Sequence, residues 1–263
     1  MKKILAILII ITMAALALAA CGGNDDTGIR TLADLDTPGI RIGVQTATTG
    51  HIFADENFPD AYVDAFPLFA DAVMALRAGS IDAVIIDAIP GAQFAYANYG
   101  YLVLLPETLT AEYYGIALQH GSRLTAMFDD AINQLRADGT FQAIYDYWIL
   151  ELEDATRYVS PPGTAHPNGT LLMATSAGFP PFELWEGDRI VGFDPCLAQA
   201  IGDILGYEIE ILDMEFGAII PAVQTGAVDF GMAGMTVRDD RREFVDFSQG
   251  YFYSGQHVLV RVP

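Results

Sequence analysis

Lysine is nearly absent from this sequence, since its two lysines, Lys2 and Lys3, both lie at the very start. Beyond residue 20 the chain carries 11 basic side chains, all of them arginine, against 34 acidic ones. A surface this acidic repels nucleic acid and anionic lipid headgroups, so we expect no nucleic-acid partner. Recognition of a carboxylate must fall to arginine or to backbone amides, because no lysine remains for it.

Long apolar runs are also missing, apart from Ile4 to Ala17, which is too short for a comfortable membrane span. This run follows two lysines and leads to Leu-Ala-Ala before Cys21, as in a secretory signal peptide over residues 1–20. The Leu-Ala-Ala-Cys stretch resembles a bacterial lipobox, in which the cysteine receives a diacylglyceryl group. We therefore expect an extracytoplasmic protein, lipid-anchored at Cys21 and followed by a flexible tether over 21–30. An ordinary signal peptide with a chance cysteine is the alternative.

Cysteine is equally scarce, and Cys196 is the only one besides Cys21. With Cys21 lipidated, no partner remains for an intramolecular disulfide, so the fold must depend on packing. The chain lacks P-loop, GxSxG, HExxH and CxxC motifs, and its four histidines are scattered. We therefore expect a protein that is not an enzyme and that holds neither a metal nor a cofactor.

One pattern, A-[LV]-x-x-G-x-[IV]-D, occurs twice, at residues 75–82 and 222–229. Each copy ends a helical pattern at a glycine suited to a helix C-terminus and then enters a short apolar run typical of a buried strand. Strands that alternate with helices favour mostly parallel sheets, whose ligands lie beyond the carboxyl ends of the strands. The repeat predicts two similar α/β units.

The repeat also places two pairs of residues. We interpret its aspartates, Asp82 and Asp229, as turn and strand-start residues. Five residues further on, Asp87 in one unit and Gly234 in the other stand at the far end of each strand. We expect both to face the space between the units.

Residues 151–169 form the best candidate for a linker, because two Pro-Gly-containing turns interrupt any periodicity there. Beyond it, Asp194 and Pro195 predict the N-cap and first residue of a helix that runs to Leu205. Cys196 lies in the first turn of that helix, where we expect a buried, unreactive thiol.

Five stretches closely resemble the polar-amino-acid family of bacterial ABC-transporter substrate-binding proteins, family 3. They are Gly-Phe-Pro-Pro-Phe-Glu at 178–183, Val-Gly-Phe-Asp at 191–194, the segment 216–221, Ala-Gly-Met-Thr-Val-Arg-Asp-Asp-Arg at 233–241 and Val-Asp-Phe-Ser at 245–248. The resemblance covers nearly everything from Thr31 to Val262. It implies a two-lobed α/β fold of the periplasmic-binding-protein type II, with the ligand cleft between the lobes.

The order of the segments differs from that of the family, in which the part resembling 171–262 comes first. We therefore expect a circular permutation in which the chain crosses between the lobes covalently only once, near residues 112–118. A fragment of a tandem gene is the competing explanation. The expected division of the chain is 31–112 as lobe 2, normally the central lobe, 113–150 as the C-terminal part of lobe 1, 151–169 as the permutation linker, and 170–263 as the N-terminal part of lobe 1 with an interlobe strand.

The resemblance also implies which residues bind the charged ends of an amino acid. Arg241 matches the carboxylate-binding arginine of the family, and guanidinium presents a planar fork that suits a carboxylate. Thr236 adds an amide or hydroxyl to this carboxylate site, and Thr48 and Thr49 add donors near the start of a helix in the opposite lobe. For the ammonium, Asp87 supplies an ionised acceptor and Gly234 its carbonyl.

For the ligand side chain, Phe179 and Phe216 align with aromatic residues that stack around it in the family. Ser176 stands where many members carry an aspartate that faces the distal group of the ligand. The missing counter-charge favours a neutral polar or small amino acid. We interpret Glu183 as structural and assign the neighbouring Phe182, Trp185 and Phe193 to the core.

The expected function is capture of a free amino acid and its delivery to an ABC-transporter permease by a monomer that meets the membrane only through its lipid anchor. Two alternatives remain open. The same fold hosts dehydratases that act on small carboxylates, although such an enzyme needs a paired acid and base over its substrate. An amino-acid sensor without transport is the other.

Overall fold

The computed structural model describes residues 28–262. The predicted signal peptide, the predicted lipid-attachment residue Cys21 and most of the predicted tether lie outside the described residues. No helix within residues 28–262 combines the length and apolar character that crossing a bilayer requires.

The described chain contains fourteen strands and eight α-helices, preceded by a 3-10 helix at Leu32–Asp36. The strands are β1 (Arg41–Gln45), β2 (Tyr62–Phe66), β3 (Ala83–Asp87), β4 (Leu102–Leu104), β5 (Glu112–Tyr114), β6 (Ala117–Leu118), β7 (Thr170–Thr175), β8 (Leu184–Glu186), β9 (Arg189–Val191), β10 (Glu208–Asp213), β11 (Phe230–Gly231), β12 (Asp246–Phe247), β13 (Phe252–Ser254) and β14 (Gln256–Arg261). The helices are α1 (Thr49–Asn57), α2 (Phe69–Arg77), α3 (Ala88–Ala97), α4 (Arg123–Asp138), α5 (Thr140–Trp148), α6 (Phe193–Leu205), α7 (Phe216–Thr225) and α8 (Asp239–Arg242).

These strands form two five-stranded sheets with the same plan. One sheet has the order β2-β1-β3-β14-β4, and the unit built on it is lobe 2; the other has the order β10-β7-β11-β6-β12 and forms lobe 1. In each sheet three parallel strands are followed by a strand that runs antiparallel to both of its neighbours. The predicted α/β fold with two lobes is confirmed.

The chain crosses between the lobes twice, so the prediction of a single covalent crossing was wrong. It leaves lobe 2 through β5 and enters the sheet of lobe 1 as β6, then returns through β13 and enters the sheet of lobe 2 as β14. β14 lies between β3 and β4 because its central residues, Val258 to Val260, are fully buried and its backbone pairs with a strand on each side. The two crossing strands, β5 and β13, pair antiparallel with each other and form the hinge.

Aromatic side chains fill the core beside this hinge. Tyr114 of β5 stacks on Phe252 of β13 with ring centroids 5.6 Å apart, and Phe182 meets Phe252 edge-on at 4.8 Å. Phe182 and Phe193 are buried, as predicted, whereas Trp185 is half exposed. Trp185 lies on the short hairpin of β8 and β9, which pairs with no other strand between residues 28 and 262.

The two repeat aspartates occupy equivalent places in the lobes. The Asp82 carboxylate accepts a hydrogen bond from the amide of Arg41 at 3.0 Å, and the Asp229 carboxylate accepts one from the amide of Leu172 at 2.7 Å. In return, each aspartate amide donates to the carbonyl of the same partner residue. This two-way contact fixes the start of the next strand against the first strand of its sheet, which is the predicted structural role.

Replacement of Asp229 by alanine is therefore expected to lower the free energy of unfolding by about 1–2 kcal/mol, because the Leu172 amide loses its acceptor. Chemical denaturation measures this loss, and ligand affinity should stay within about twofold of wild type. The exposed Asp188 offers a matched control, since Asp188→Ala removes the same charge from this acidic protein without removing a capping contact. Equal stability of the two variants would contradict the structural role.

Residues 151–169 contain no helix or strand but lie against lobe 1. Asp203 of α6 accepts a hydrogen bond from the Tyr158 hydroxyl at 2.7 Å and contacts the His166 ring at 3.0 Å. The Asn168 side chain donates to the carbonyl of Leu205 at 2.7 Å. The segment is therefore held along α6 rather than standing away from the lobe.

Candidate ligand-binding site

A cavity lies between the two lobes, where the carboxyl ends of their parallel strands face each other. Its lining comes from both lobes: Gln45, Thr48, Thr49, Phe69 and Asp87 from lobe 2, and Ser176, Phe179, Glu183, Phe216, Ala233, Gly234 and Thr236 from lobe 1. Eight of the nine predicted ligand-binding residues line this one cavity. The ninth, Arg241, does not line it but contacts two residues that do, Thr236 and Phe216.

Half of this lining consists of pairs that occupy equivalent positions in the two lobes. Taking the equivalent strand starts Arg41 and Leu172 and the repeat aspartates as reference points, the pairs are Gln45 with Ser176, Phe69 with Phe216, and Asp87 with Gly234. The two lobes thus present the same three backbone positions to the cavity but different side chains. Lobe 2 contributes the charge at the third position, and lobe 1 contributes a glycine.

Thr48 and Thr49 lie at the start of α1, whose first amides have no partner within the helix and favour an anion. The Thr48 hydroxyl donates to the carbonyl of Gln45 at 2.7 Å and accepts from the amide of His51 at 3.3 Å, so it serves as the helix N-cap. Its hydroxyl proton is therefore committed and cannot be donated to a ligand carboxylate. Thr49 is buried and keeps its predicted position at the cleft.

Arg241, on α8, is buried and reaches across the cleft. Its guanidinium donates to the carbonyl of Thr236 at 2.8 Å and to the carbonyl of Ala47 in the opposite lobe at 3.2 Å, and it stands over the ring of Phe216 at 5.2 Å. Burial, followed by the nearby charge of Arg238, lowers the pKa of Arg241 to about 10, so it stays cationic at neutral pH. With five donors on a guanidinium and two directed at carbonyls, donors remain for a carboxylate.

Asp87 ends β3 and is buried at the hinge side of the cavity. Its carboxylate accepts hydrogen bonds from the hydroxyl of Tyr114 at 2.5 Å and from that of Ser254 at 3.3 Å. Burial, and then the charge of Glu112, raise the pKa of Asp87 to about 7. A cation bound beside it would reverse this effect, as an ammonium group would do.

Gly234 adopts a left-handed conformation, with φ +52°, and a side chain there would collide with the ring of Phe179. Its amide donates to the carboxylate of Asp194 at 2.8 Å, which leaves its carbonyl for other partners. The prediction that Asp194 caps α6 was wrong, because Gly192 is the N-cap and the helix begins at Phe193. Asp194 instead fixes the loop that carries Gly234.

The aromatic residues enclose the cavity from both lobes. Phe179 stacks on Phe69 with ring centroids 5.5 Å apart, and Phe216 lies under the Arg241 guanidinium. Phe69 was missed by sequence analysis. The signal that identifies it is its place in the repeat, thirteen residues before Asp82, as Phe216 is before Asp229.

Two buried polar residues at the lobe 1 wall receive no hydrogen bond from an N–H or hydroxyl donor among residues 28–262. These are Ser176, whose hydroxyl has no partner, and Glu183, whose carboxyl group contacts the carboxyl group of Asp194. Burial, and then the neighbouring Asp194, raise the pKa of Glu183 well above its usual range. Unpaired buried acceptors are costly, so a bound group with hydrogen-bond donors would stabilise this wall.

Sequence analysis therefore missed four lining residues as ligand contacts: Gln45, Phe69, Glu183 and Ala233. Gln45 ends β1, just before the polar turn, and its side chain donates to the carbonyl of Pro67 at 3.0 Å. Ala233 is adjacent to Gly234. Within residues 28–262, no group of three or more histidine, cysteine, aspartate or glutamate side chains is arranged to hold a metal ion.

Comparison with known proteins finds similarity to amino-acid-binding proteins. Residues 171–262 match the model of the bacterial extracellular solute-binding proteins, family 3. The arginine-binding extracellular protein ArtP of Bacillus subtilis (strain 168) is 48% identical over 90 residues, which cover 34% of this chain and 35% of that protein. A probable histidine-binding protein of Neisseria gonorrhoeae is 35% identical over 97 residues, covering 36% of each chain.

Among solved structures, the arginine-bound form of domain 1 from TmArgBP is 38% identical, with 36% of this chain and 81% of that domain covered, at a TM-score of 0.31. The matched segments span about a third of the length of the curated relatives: 35% of ArtP and 36% of the gonococcal protein. These relatives are named as binding proteins, in agreement with the expectation of a protein that is not an enzyme. Residues 171–262, about a third of the chain, are thus similar to the bacterial extracellular solute-binding proteins, family 3.

Proposed function

We propose that this protein captures a free amino acid with a cationic side chain between its two lobes and delivers it to an ABC-transporter permease. The observation that carries the proposal is the arrangement of charge around the interlobe cavity. Arg241 approaches it from one side, while Asp87 and Glu183 line it. A zwitterion needs a partner for each charge that it takes out of water, and these residues supply them.

The balance of buried charge favours a ligand that is positive overall. Among residues 28–262, the buried charged side chains are four carboxyl groups, Asp87, Glu112, Glu183 and Asp194, and one guanidinium, Arg241. An amino acid with a cationic side chain places its carboxylate at Arg241, its ammonium at Asp87 and its distal cation toward Glu183. The site holds more acidic than basic groups, and a bound cation lowers the raised pKa values of Asp87 and Glu183 and so favours their ionised forms.

Ser176 by itself favours a neutral polar ligand, as the sequence analysis expects. Glu183 supplies the counter-charge that Ser176 lacks, because its buried carboxyl group lines the cavity and its hydrogen-bond contact is with another acid, Asp194. Both residues lie on the same wall, so a guanidinium or ammonium with several donors could engage them together. This is why we prefer a cationic ligand to a neutral one.

The relatives support this ligand class and the transport role. ArtP is named as an arginine-binding extracellular protein and the gonococcal relative as a probable histidine-binding protein. Export by the signal peptide and anchoring through a lipid on Cys21 would place the site outside the cytoplasm, where a binding protein meets its solute. We propose that the protein acts there as a monomer.

Thermal unfolding with and without amino acids tests the proposal. Arginine, lysine, ornithine and histidine are expected to raise the melting temperature, by roughly 5–10 °C at a hundred times Kd, because binding to the folded state stabilises it by mass action. Glutamine and serine represent the neutral class. If no amino acid shifts the transition, capture of an amino acid is excluded. A shift by the neutral amino acids alone would favour the neutral ligand that Ser176 predicts.

The variant Glu183→Gln separates the two classes further. It keeps the size of the side chain and removes its negative charge, so arginine affinity is expected to fall by at least about tenfold while glutamine affinity falls less. Isothermal titration calorimetry gives both values. Equal losses for the two ligands would show that Glu183 does not select the charge of the side chain.

We also propose that the chain is a circular permutation of the family order. The family match begins at residue 171, and the preceding part supplies most of a second sheet with the same strand order. Because β13 continues into β14, the permutation keeps both covalent connections between the lobes. The order of the lobes along the chain changes, but the hinge does not.

A further inference from the structure

We propose that Glu112, a hinge residue that does not line the ligand cavity, is a positioning residue that fixes the Thr236 hydroxyl as a hydrogen-bond acceptor for the ligand ammonium. This inference rests on the proposed function, since it assigns a role within the amino-acid site. Glu112 is the first residue of β5 and is buried. In the hinge it is paired with Ser254 of β13.

Three side chains direct donors at the Glu112 carboxylate. The Thr110 hydroxyl donates to one oxygen at 2.5 Å, and the Thr236 hydroxyl donates to the other at 2.6 Å. The side-chain amide of Gln256 approaches the second oxygen at 3.4 Å. An ionised carboxylate has acceptors only, so it can satisfy all three of these donors together.

The orientation of Thr236 follows from its single proton. A threonine hydroxyl has one O–H and two lone pairs, and the proton is directed at Glu112. What the oxygen offers to the cavity is therefore a lone pair. The carbonyl of Thr236 already accepts from Arg241, so the hydroxyl and the amide remain to meet a ligand.

This polarity moves the Thr236 hydroxyl from the carboxylate site to the ammonium site. The family resemblance implies that Thr236 meets the ligand carboxylate through its amide or hydroxyl, but a hydroxyl whose proton is committed to Glu112 cannot donate to a carboxylate. It can accept from an ammonium, as the Asp87 carboxylate and the Gly234 carbonyl can. The three acceptors belong to the same cavity.

Glu112 also links the site to the hinge. Thr110 and Gln256 lie on the lobe 2 side of the hinge, whereas Thr236 belongs to lobe 1. The Thr110 hydroxyl accepts from the backbone amide of Gln256 at 2.9 Å while it donates to Glu112. The carboxylate is thus held at a fixed place between the lobes, and it holds Thr236 in turn.

The test compares arginine with 5-guanidinopentanoic acid, which is arginine without its α-ammonium. Glu112→Gln is expected to weaken arginine binding by roughly tenfold, because the amide can donate to Thr236 and reverse its polarity, and to leave the affinity for the des-amino analogue within about twofold. Thr236→Val should show the same selective loss, whereas Thr236→Ser, which keeps the hydroxyl, should bind arginine like wild type. The double variant should bind arginine no more weakly than Thr236→Val alone, since both changes remove one interaction.

The exposed Glu208 provides a control for charge, and Glu208→Gln should bind both ligands like wild type. Equal losses of both ligands in Glu112→Gln would overturn the positioning role, as would additive losses in the double variant. If Glu112→Gln fails to fold, Thr236→Val alone tests the proposal. If this variant leaves the ratio of the affinities for arginine and its des-amino analogue unchanged, the Thr236 hydroxyl does not contact the ammonium. Failure of the wild type to bind any amino acid would instead overturn the proposed function.

Discussion

Arg241→Ala is expected to weaken amino-acid binding by at least about a hundredfold, the largest effect of any single substitution. The guanidinium is the only buried cation among residues 28–262, so its removal leaves the ligand carboxylate without a charged partner between the lobes. Truncation of one member of a buried charge pair costs roughly 2–5 kcal/mol, and about 2.8 kcal/mol corresponds to a hundredfold change in Kd. Isothermal titration with arginine measures the loss.

The same substitution also removes contacts within the ligand-free protein, to the carbonyls of Thr236 and Ala47. The free energy of unfolding must therefore be measured beside the affinity. Arg238 serves as the control because its guanidinium pairs with Asp240 and does not line the interlobe cavity. Arg238→Ala should keep wild-type affinity. A folded Arg241→Ala variant that still binds within tenfold of wild type would show that the carboxylate lies elsewhere.

Asp87→Asn is expected to weaken binding by roughly 30-fold to 150-fold, because the ligand ammonium loses its ionised acceptor. Asparagine keeps an oxygen for the Tyr114 and Ser254 hydroxyls, so the hinge contacts survive the change. The des-amino analogue of arginine should bind the variant about as well as the wild type. A parallel loss of both ligands would place the ammonium away from Asp87.

Asp87 also predicts how affinity depends on pH. Its pKa in the ligand-free protein is raised to about 7, first by burial and then by Glu112, and a bound ammonium lowers it again. Below pH 7 the carboxyl group must release a proton before it can pair with the ammonium, so affinity falls as pH falls, by up to tenfold per pH unit. Above pH 8 this contribution is constant.

Titration calorimetry in buffers of different ionisation enthalpy detects the released proton. Asp87→Asn should reduce the release and flatten the pH profile, while Glu183, whose pKa is raised by burial and by Asp194, contributes any slope that remains. A profile in Asp87→Asn that is as steep as that of the wild type would assign the proton to another group.

The repeat allowed much of the fold to be predicted, because local sequence and tertiary role agree within it. In each copy the glycine ends a helix, the aspartate fixes a strand start, and the residue five positions later reaches the cavity. These features depend on residues at fixed offsets within the repeat, so they can be predicted from the spacing in the sequence. The same spacing, extended upstream, would have identified Phe69.

Other parts of the site depend on contacts between distant segments, which spacing does not record. Asp194 was expected to cap α6, yet its carboxylate binds the amide of Gly234, forty residues away. Glu112 gave no local signal, since its partner Thr236 is 124 residues distant. The single crossing was predicted from the order of the motifs, whereas the place of β14 depends on which sheet buries its apolar residues.

The position of β14 bears on whether two copies of this chain could exchange lobes. In a protein with one connection, opening that connection would be enough for domain swapping. Here β5 and β13 both join the lobes, so both must open in the same event. The element that follows the second connection is also the hardest to extract, because β14 pairs with β3 on one side and β4 on the other. We therefore expect the doubly connected hinge to slow lobe exchange through its topology and not through any particular side chain.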